Sequence, residues 1–353
     1  MNKILREVQD TPDSLVEKGI LNVGTFESHF EEFNFLNRKR PVFKKFINKN
    51  LLTEWQAIEV LAEDIFVICA VFKFGVMNRT LFFVYEIKEN ILHNYSSVSF
   101  FKTKAKVAPF LHNMSVSVRK TKNTFIKITN NLNDEQLFLE GYGNKEEKVD
   151  FKLSFKRIAK PSVVSLPLTK KHTVYTEKDF LEPKGYITFK DKTHTVNDSD
   201  VSIFDDHRGY YPLSSGYDWV TCMGKVIIDN KESKFGINLT YFYKNNKPTL
   251  FNENGYWIDS KYYQLPSVMF NRDGNSWNIF DKGNRVKLVF SQKNQYSEKN
   301  MKGIKIDYVL AFGTLSGEII TFDNKKILID EIFSLGEKRI TQFLNCNTHN
   351  KGG

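Results

Sequence analysis

Asn113-Met-Ser-Val-Ser-Val-Arg119 and, a short polar link later, Thr124-Phe-Ile-Lys-Ile-Thr129 alternate apolar and polar side chains. Period two marks a half-buried strand, whose successive side chains point to opposite faces. Working outward, Glu54-Trp-Gln-Ala-Ile-Glu-Val60, Ile65 to Gly75, Arg79 to Ile87, Gln136 to Gly141 and Val149 to Phe155 read the same way. That gives about seven short strands at a spacing near ten residues, the signature of an antiparallel sandwich or barrel. No segment holds a helical period over three turns, apart from room for one short helix in 328–344.

Ala159-Lys-Pro-Ser162 and Leu166-Pro-Leu168 interrupt the pattern, and proline cannot donate to an interior ladder. Strands resume at Gly185 to Phe189, Val220 to Ile228, Phe235 to Tyr243, Val286 to Phe290 and Lys305 to Gly313. The expectation is an all-β fold with few helices. It has two antiparallel β-barrel or sandwich modules in tandem, 1–165 and 166–344, and a polar, disordered tail over 345–353. The 31 Phe and 15 Tyr suit pleated, half-buried surfaces.

Net charge is +10, but Lys and Arg are scattered, and the densest group, Arg38-Lys-Arg40 with Lys44-Lys45, is short. Nucleic acid is therefore not an expected partner. Solvated lysines, weak attraction to anionic membrane surfaces and a basic groove for an anionic ligand all stay compatible with the charge. Cys69, Cys222 and Cys346 are too far apart for a metal site, and their odd number suits a reducing cytoplasm. The charged N-terminus has no signal-peptide core, and the apolar run from Ile65 to Val76 is too short to span a bilayer. There is no phosphate-cradling glycine loop, dinucleotide fingerprint, nucleophile elbow or His-Glu-x-x-His, so neither cofactor nor metal is expected.

Chemistry concentrates in Phe204-Asp-Asp-His-Arg-Gly-Tyr-Tyr-Pro212, followed by Ser214-Ser-Gly-Tyr-Asp-Trp219. Read as a loop at a barrel mouth, it can aim Asp205 or Asp206 inward but not both, because neighbours alternate faces. A carboxyl facing an apolar cavity is held protonated and can donate a proton. Asp206 is the candidate acid; pairing with Arg208 or capping a turn is its structural alternative. His207 is a candidate base or hydrogen-bond donor, Gly209 a special backbone position, and Asp205, Arg208, Tyr210, Tyr211 and Trp219 candidate ligand contacts. Asn238 and Thr240 share one strand face, opposite Ile237 and Leu239, and join the candidates with Asn254; Glu253 reads as a hairpin tip.

Asp206-His-Arg-Gly209, Gly216-Tyr-Asp-Trp219, Phe235-Gly-Ile-Asn-Leu239 and Asn252-Glu-Asn-Gly255 together resemble the bacterial family called domain of unknown function 2804. Thr11-Pro-Asp to Gly19, the basic-aromatic Arg38 to Phe46 and Tyr175-Thr-Glu-Lys178 extend the resemblance to residues 8–343. The same block is similar to one in a wider group of carotenoid hydratases, AttH-like proteins and fungal lipocalin-like cyclases. That resemblance implies paired lipocalin-like (calycin-type) barrels and apolar, unsaturated substrates. In the hydratases it also implies an Asp of this block as proton donor. The group's tryptophan near the Asp-His pair is replaced here by Tyr210 or is absent. The expected partner is a lipophilic small molecule (lipid, isoprenoid or polyene), bound in a barrel. The alternative is an acid-catalysed lyase or isomerase, such as a hydratase or cyclase, acting through Asp206.

Overall fold

A computed structural model describes residues 6–39, 51–101, 104–301 and 304–343. Cys346, the expected disordered tail and most of the Arg38 to Phe46 segment lie outside the described residues. Two curled antiparallel sheets, half-barrels in tandem, account for nearly all of the rest. Two 3-10 turns, Phe35–Asn37 and Leu132–Asp134, interrupt them.

The first sheet runs, neighbour by neighbour, through Ser115–Lys120, Thr124–Asn131, Gln136–Asn144, Lys148–Arg157, Thr173–Phe189, Ser202–Gly209, Thr53–Ala62, Ile65–Phe74, Met77–Glu86 and Ile91–Asn94. The second runs Lys261–Gln264, Gly255–Ile258, Lys231–Phe242, Ser214–Ile228, Lys326–Phe343, Ile304–Ile320, Val286–Met301, Ser276–Asp281 and Val268–Asp273. The chain therefore changes sheets between Gly209 and Ser214, not at 165–166. The proline-bearing Ser162–Pro167 is a strand of the first sheet, paired with Thr173–Phe189 and with Gly24–Phe26. Pro167 closes its end, where a missing donor is tolerated.

The helix expected over 328–344 is instead the strand Lys326–Phe343. Its alternation is broken by a bulge. Leu315 pairs with Ile332 but Gly317 pairs with Ile329, and Glu331 sits at φ 48°. The extra residue turns the face over. Ile327 and Ile329 pack inside the second curl, whereas Phe333 and Leu335, of the same parity, pack between the sheets. In the sequence that phase slip blurs the strand period.

Apolar side chains form three principal layers. Ile58, Val67, Phe82, Leu139, Leu153 and Phe204 fill the first curl, and Val220, Ile237, Trp277, Phe290 and Ala311 fill the second. Phe66, Phe83, Phe180, Trp219, Phe312 and Leu335 form the layer between the two sheets. Both curls are thus filled by apolar side chains, and the layer between them holds a cavity.

Candidate functional site

Ser202–Gly209 is a central strand, hydrogen-bonded on one side to Thr173–Phe189 and on the other to Thr53–Ala62. The expected loop at a barrel mouth is therefore corrected: every residue of this strand is buried. Charged residues are seldom fully buried unless paired, which is why the stretch reads as a loop. Gly209 ends it at φ 152°, and a Cβ there would lie 2.4 Å from the Thr173 carbonyl oxygen, so the close approach of the backbones requires glycine.

Alternation divides the motif between two environments. Phe204, Asp206 and Arg208 face the first curl. Arg208 grips Asp206 through Nε–Oδ2 at 2.8 Å and Nη2–Oδ1 at 2.7 Å, and Gln56 Nε2 donates to the same Oδ1 at 2.8 Å. The Arg208 guanidinium also lies 4.1 Å from the centre of the Phe33 ring. Burial works against the Arg208 charge, but the Asp206 carboxylate beside it more than offsets this. Asp206, the expected proton donor, thus points away from the open space and into an ion pair.

Ile203, Asp205 and His207 face the other way: Ile203 packs in the apolar layer between the sheets, and Asp205 and His207 line a cavity of about 400 Å³ there. Its walls are mostly apolar: Ile68, Ala70, Phe72, Met77, Leu81 and Ile306. One end is polar. Lys178 Nζ donates to Asp205 Oδ1 at 2.6 Å and lies 3.7 Å from Glu253 Oε2, while Trp55 Nε1 donates to Asp205 Oδ2 at 3.2 Å. Thr240 donates from its hydroxyl to Glu253. His207 stacks on Trp55 with ring centres 3.9 Å apart, and its Nε2 shares a hydrogen bond of 2.7 Å with the Tyr211 hydroxyl. Burial, reinforced by Lys178, pushes the His207 imidazole well below its usual value, and burial pushes the Tyr211 phenol up. Both rings are accordingly neutral near pH 7.

Glu59 shares the cavity-facing side of its strand with Trp55 and Ala57. It is 1% exposed, and its Oε2 is buried with no hydrogen-bond partner among the described residues. Burial raises its carboxyl well above the usual range and the Asp205 charge adds to this; Lys178 opposes, but it is already held by Asp205. Across the cavity Glu337 accepts from the Tyr217 hydroxyl at 2.7 Å, and burial raises its carboxyl too.

Of the residues expected to form the site, Asp205, His207, Tyr211, Trp219 and Thr240 line the cavity. Asp206, Arg208, Tyr210, Asn238 and Asn254 do not. Tyr210 packs in an N-terminal apolar cluster with Phe35, and Asn238 accepts from Trp219 Nε1 at 2.7 Å and donates to the Glu253 carbonyl at 3.0 Å. Asn254 holds the Thr240 backbone N–H at 2.6 Å. These two asparagines brace the wall from behind it. Glu253 is no exposed hairpin tip; it is 3% exposed and lines the cavity. Trp55, Glu59, Lys178, Glu337 and Arg339 were missing from the expected site. The available signal was an acid or a lysine embedded in a strand, as in Trp55-Gln-Ala-Ile-Glu59.

One metal-type grouping occurs among the described residues. Glu63, Asp64 and His194 bring ligand atoms within 4.8 Å of one another, but Lys192 approaches the two acids at 3.7 and 4.0 Å and already supplies positive charge there. The grouping does not line the cavity.

The family model described as domain of unknown function (DUF2804) matches residues 6–343. The chain belongs to that family. No curated protein matches it. Among solved structures, this DUF2804 chain is similar to CghA with Sch210972, at 9% identity over 94% of this chain and 97% of that one, with a TM-score of 0.50. Kievitone hydratase from Nectria haematococca aligns at 11% identity over 91% and 98% of the two chains, with a TM-score of 0.49. An AttH-like protein from Nitrosomonas europaea aligns at 9% over 84% and 94%, with a TM-score of 0.45. At these identities the likeness to CghA is one of fold alone. No helix among the described residues is long and apolar enough to cross a membrane.

Proposed function

We propose that the cavity between the sheets binds an apolar small molecule with one polar end. The observation that carries this reading is an apolar-walled space of about 400 Å³ closed at one side by a convergent set of polar groups. Small-molecule sites have this size and this division of labour, with the apolar walls providing affinity and a few polar groups fixing orientation. Leu81→Trp, which places an indole in the cavity, is expected to weaken binding of the neutral dye Nile red by about tenfold or more. Titration of the dye's fluorescence measures it. Unchanged dye affinity in a folded variant would place the ligand elsewhere.

A second reading is favoured by Glu59 in particular. A carboxyl kept protonated in an apolar cavity can add its proton to a carbon–carbon double bond or to a leaving group. The resulting cation is discharged by water or by loss of a neighbouring proton, and the neutral His207–Tyr211 pair is placed to accept one. The donor is then Glu59 rather than Asp206, and the reaction is of the lyase or isomerase type. Ligand extracted from the purified protein and returned to it in heavy water is expected to gain deuterium with wild type but not with Glu59→Gln. Equal deuteration by both would assign the proton to another group.

A further inference from the structure

The cations lining the cavity are not equivalent. Arg79 is gripped by Glu298 through two contacts of 3.0 and 2.8 Å, and Lys178 by Asp205 at 2.6 Å. Lys299 is exposed at the mouth and keeps its water. Arg339 differs from all three. It is partly exposed and lines the cavity, yet no carboxylate lies within ion-pair distance of it among the described residues. Its close contacts are neutral: Nε donates to Thr341 Oγ1 at 3.3 Å, the guanidinium lies 5.6 Å from the centre of the Tyr211 ring, and the Tyr217 hydroxyl is beside it, while Glu337 attracts it only from beyond ion-pair distance. Glu337, two residues away on the same strand, is engaged by Tyr217 at 2.7 Å.

This arrangement has a consequence for what fills the space. A wholly apolar ligand would strip water from the Arg339 guanidinium and give nothing back, and removing a charge from water without a close partner is unfavourable. A ligand carrying its own anion turns that cost into a forked, charge-assisted hydrogen bond.

Resting on the reading that this cavity holds an apolar molecule, we infer that the molecule is an anion: a carboxylate head received by Arg339, and an apolar body lying along Ile68, Phe72, Leu81 and Ile306. Tyr217 and Tyr211, whose hydroxyls are engaged by Glu337 and His207, flank Arg339 and leave its guanidinium as the donor to the head. The head then sits across the cavity from Ile68, Phe72 and Leu81 of the first sheet, with Ile306 beside it on the neighbouring strand.

Two probes of one chain length, dodecanoate and 1-dodecanol, separate the anion from the apolar body. Trp55 and Trp219 line the cavity and report binding through their own fluorescence. Wild type is expected to bind dodecanoate about tenfold or more tightly than dodecanol at low ionic strength, a difference of about 1.4 kcal/mol. Arg339→Gln should erase that preference by weakening dodecanoate alone, and Arg339→Lys should restore part of it, since a lysine keeps the charge but not the fork. The Lys variant guards against a folding defect, and dodecanol affinity checks the cavity in each protein. Equal affinity of wild type for both probes, or loss of dodecanol binding in Arg339→Gln along with dodecanoate, would overturn the carboxylate assignment while leaving the cavity reading in place. Failure of wild type to bind either probe or Nile red would overturn both.

Discussion

Asp206→Ala is expected to lower the free energy of unfolding by roughly 3–5 kcal/mol and to leave the affinity of the cavity for a neutral probe unchanged. The reason is the company that Asp206 keeps. Its carboxylate faces the packed first curl, where Arg208 is 1% exposed and Asp206 is its forked partner at 2.7 and 2.8 Å. Removing the carboxylate leaves that guanidinium with Glu54 at 3.9 Å and the Phe33 ring at 4.1 Å, neither of which replaces a fork. Gln56 loses its acceptor as well, and Gln56 is itself tied to Ser117 and Asn130 at 2.6 and 3.1 Å. Breaking one side of a buried pair costs more than removing both. The double variant Asp206→Asn, Arg208→Met should therefore recover much of the loss. Urea unfolding of the single and double variants measures this. A normally stable Asp206→Ala protein that had lost its chemistry would return the donor role to Asp206.

Glu59→Gln is expected to stabilise the protein, by a margin that widens with pH. Burial and the neighbouring Asp205 hold the Glu59 carboxyl above its unfolded value, with Lys178 opposing and Glu337 adding a smaller push. Below the unfolded value the group is protonated in both states, and its contribution is fully present. Above it the unfolded chain releases the proton first, and wild type loses stability until the folded carboxyl also titrates. Glutamine has no such proton. Between the two values the gap between variant and wild type should grow by about 1.4 kcal/mol per pH unit. Thermal or urea unfolding at several pH values from 4 upward reads the slope. A gap that does not change with pH would mean that Glu59 ionises normally in the fold, and it could not then serve as a store for a proton.

How much of this was open to reading along the chain varies with the kind of fact. The strand pattern was legible because a side chain's face is a local property, repeated every second residue, as in Ser115–Lys120 and Lys231–Phe242. The same rule correctly implies that Asp205 and Asp206 part company. It fails at Lys326–Phe343, where the bulge around Glu331 resets the phase and the blurred period reads as a helix. The proline-rich stretch near 160–168 was a plausible join between modules, but proline also fits a strand's end, and the tertiary pairing chose the latter.

The candidate site was legible only in part, for a related reason. The motif at 204–219 names the right strand, and local alternation says that one carboxylate of the pair faces each way. It cannot say which face meets open space. That depends on the second sheet, which brings Tyr217, Thr240, Glu337 and Arg339 opposite Trp55, Glu59, Lys178 and Asp205. Glu59 and Glu337 are separated by most of the chain, and nothing in their own neighbourhoods announces that they share a cavity.

The amino-acid sequence by itself determined the strands, their antiparallel habit, the family and the stretch where polar groups gather, because each follows from short-range periodicity and composition. Only the tertiary structure decided that apolar side chains fill both curls, that a hollow lies between them, and that Asp206 is sealed in an ion pair while Asp205, Glu59 and Arg339 look into the hollow. Burial and charge pairing are long-range quantities, set by which distant strands the fold lays against one another.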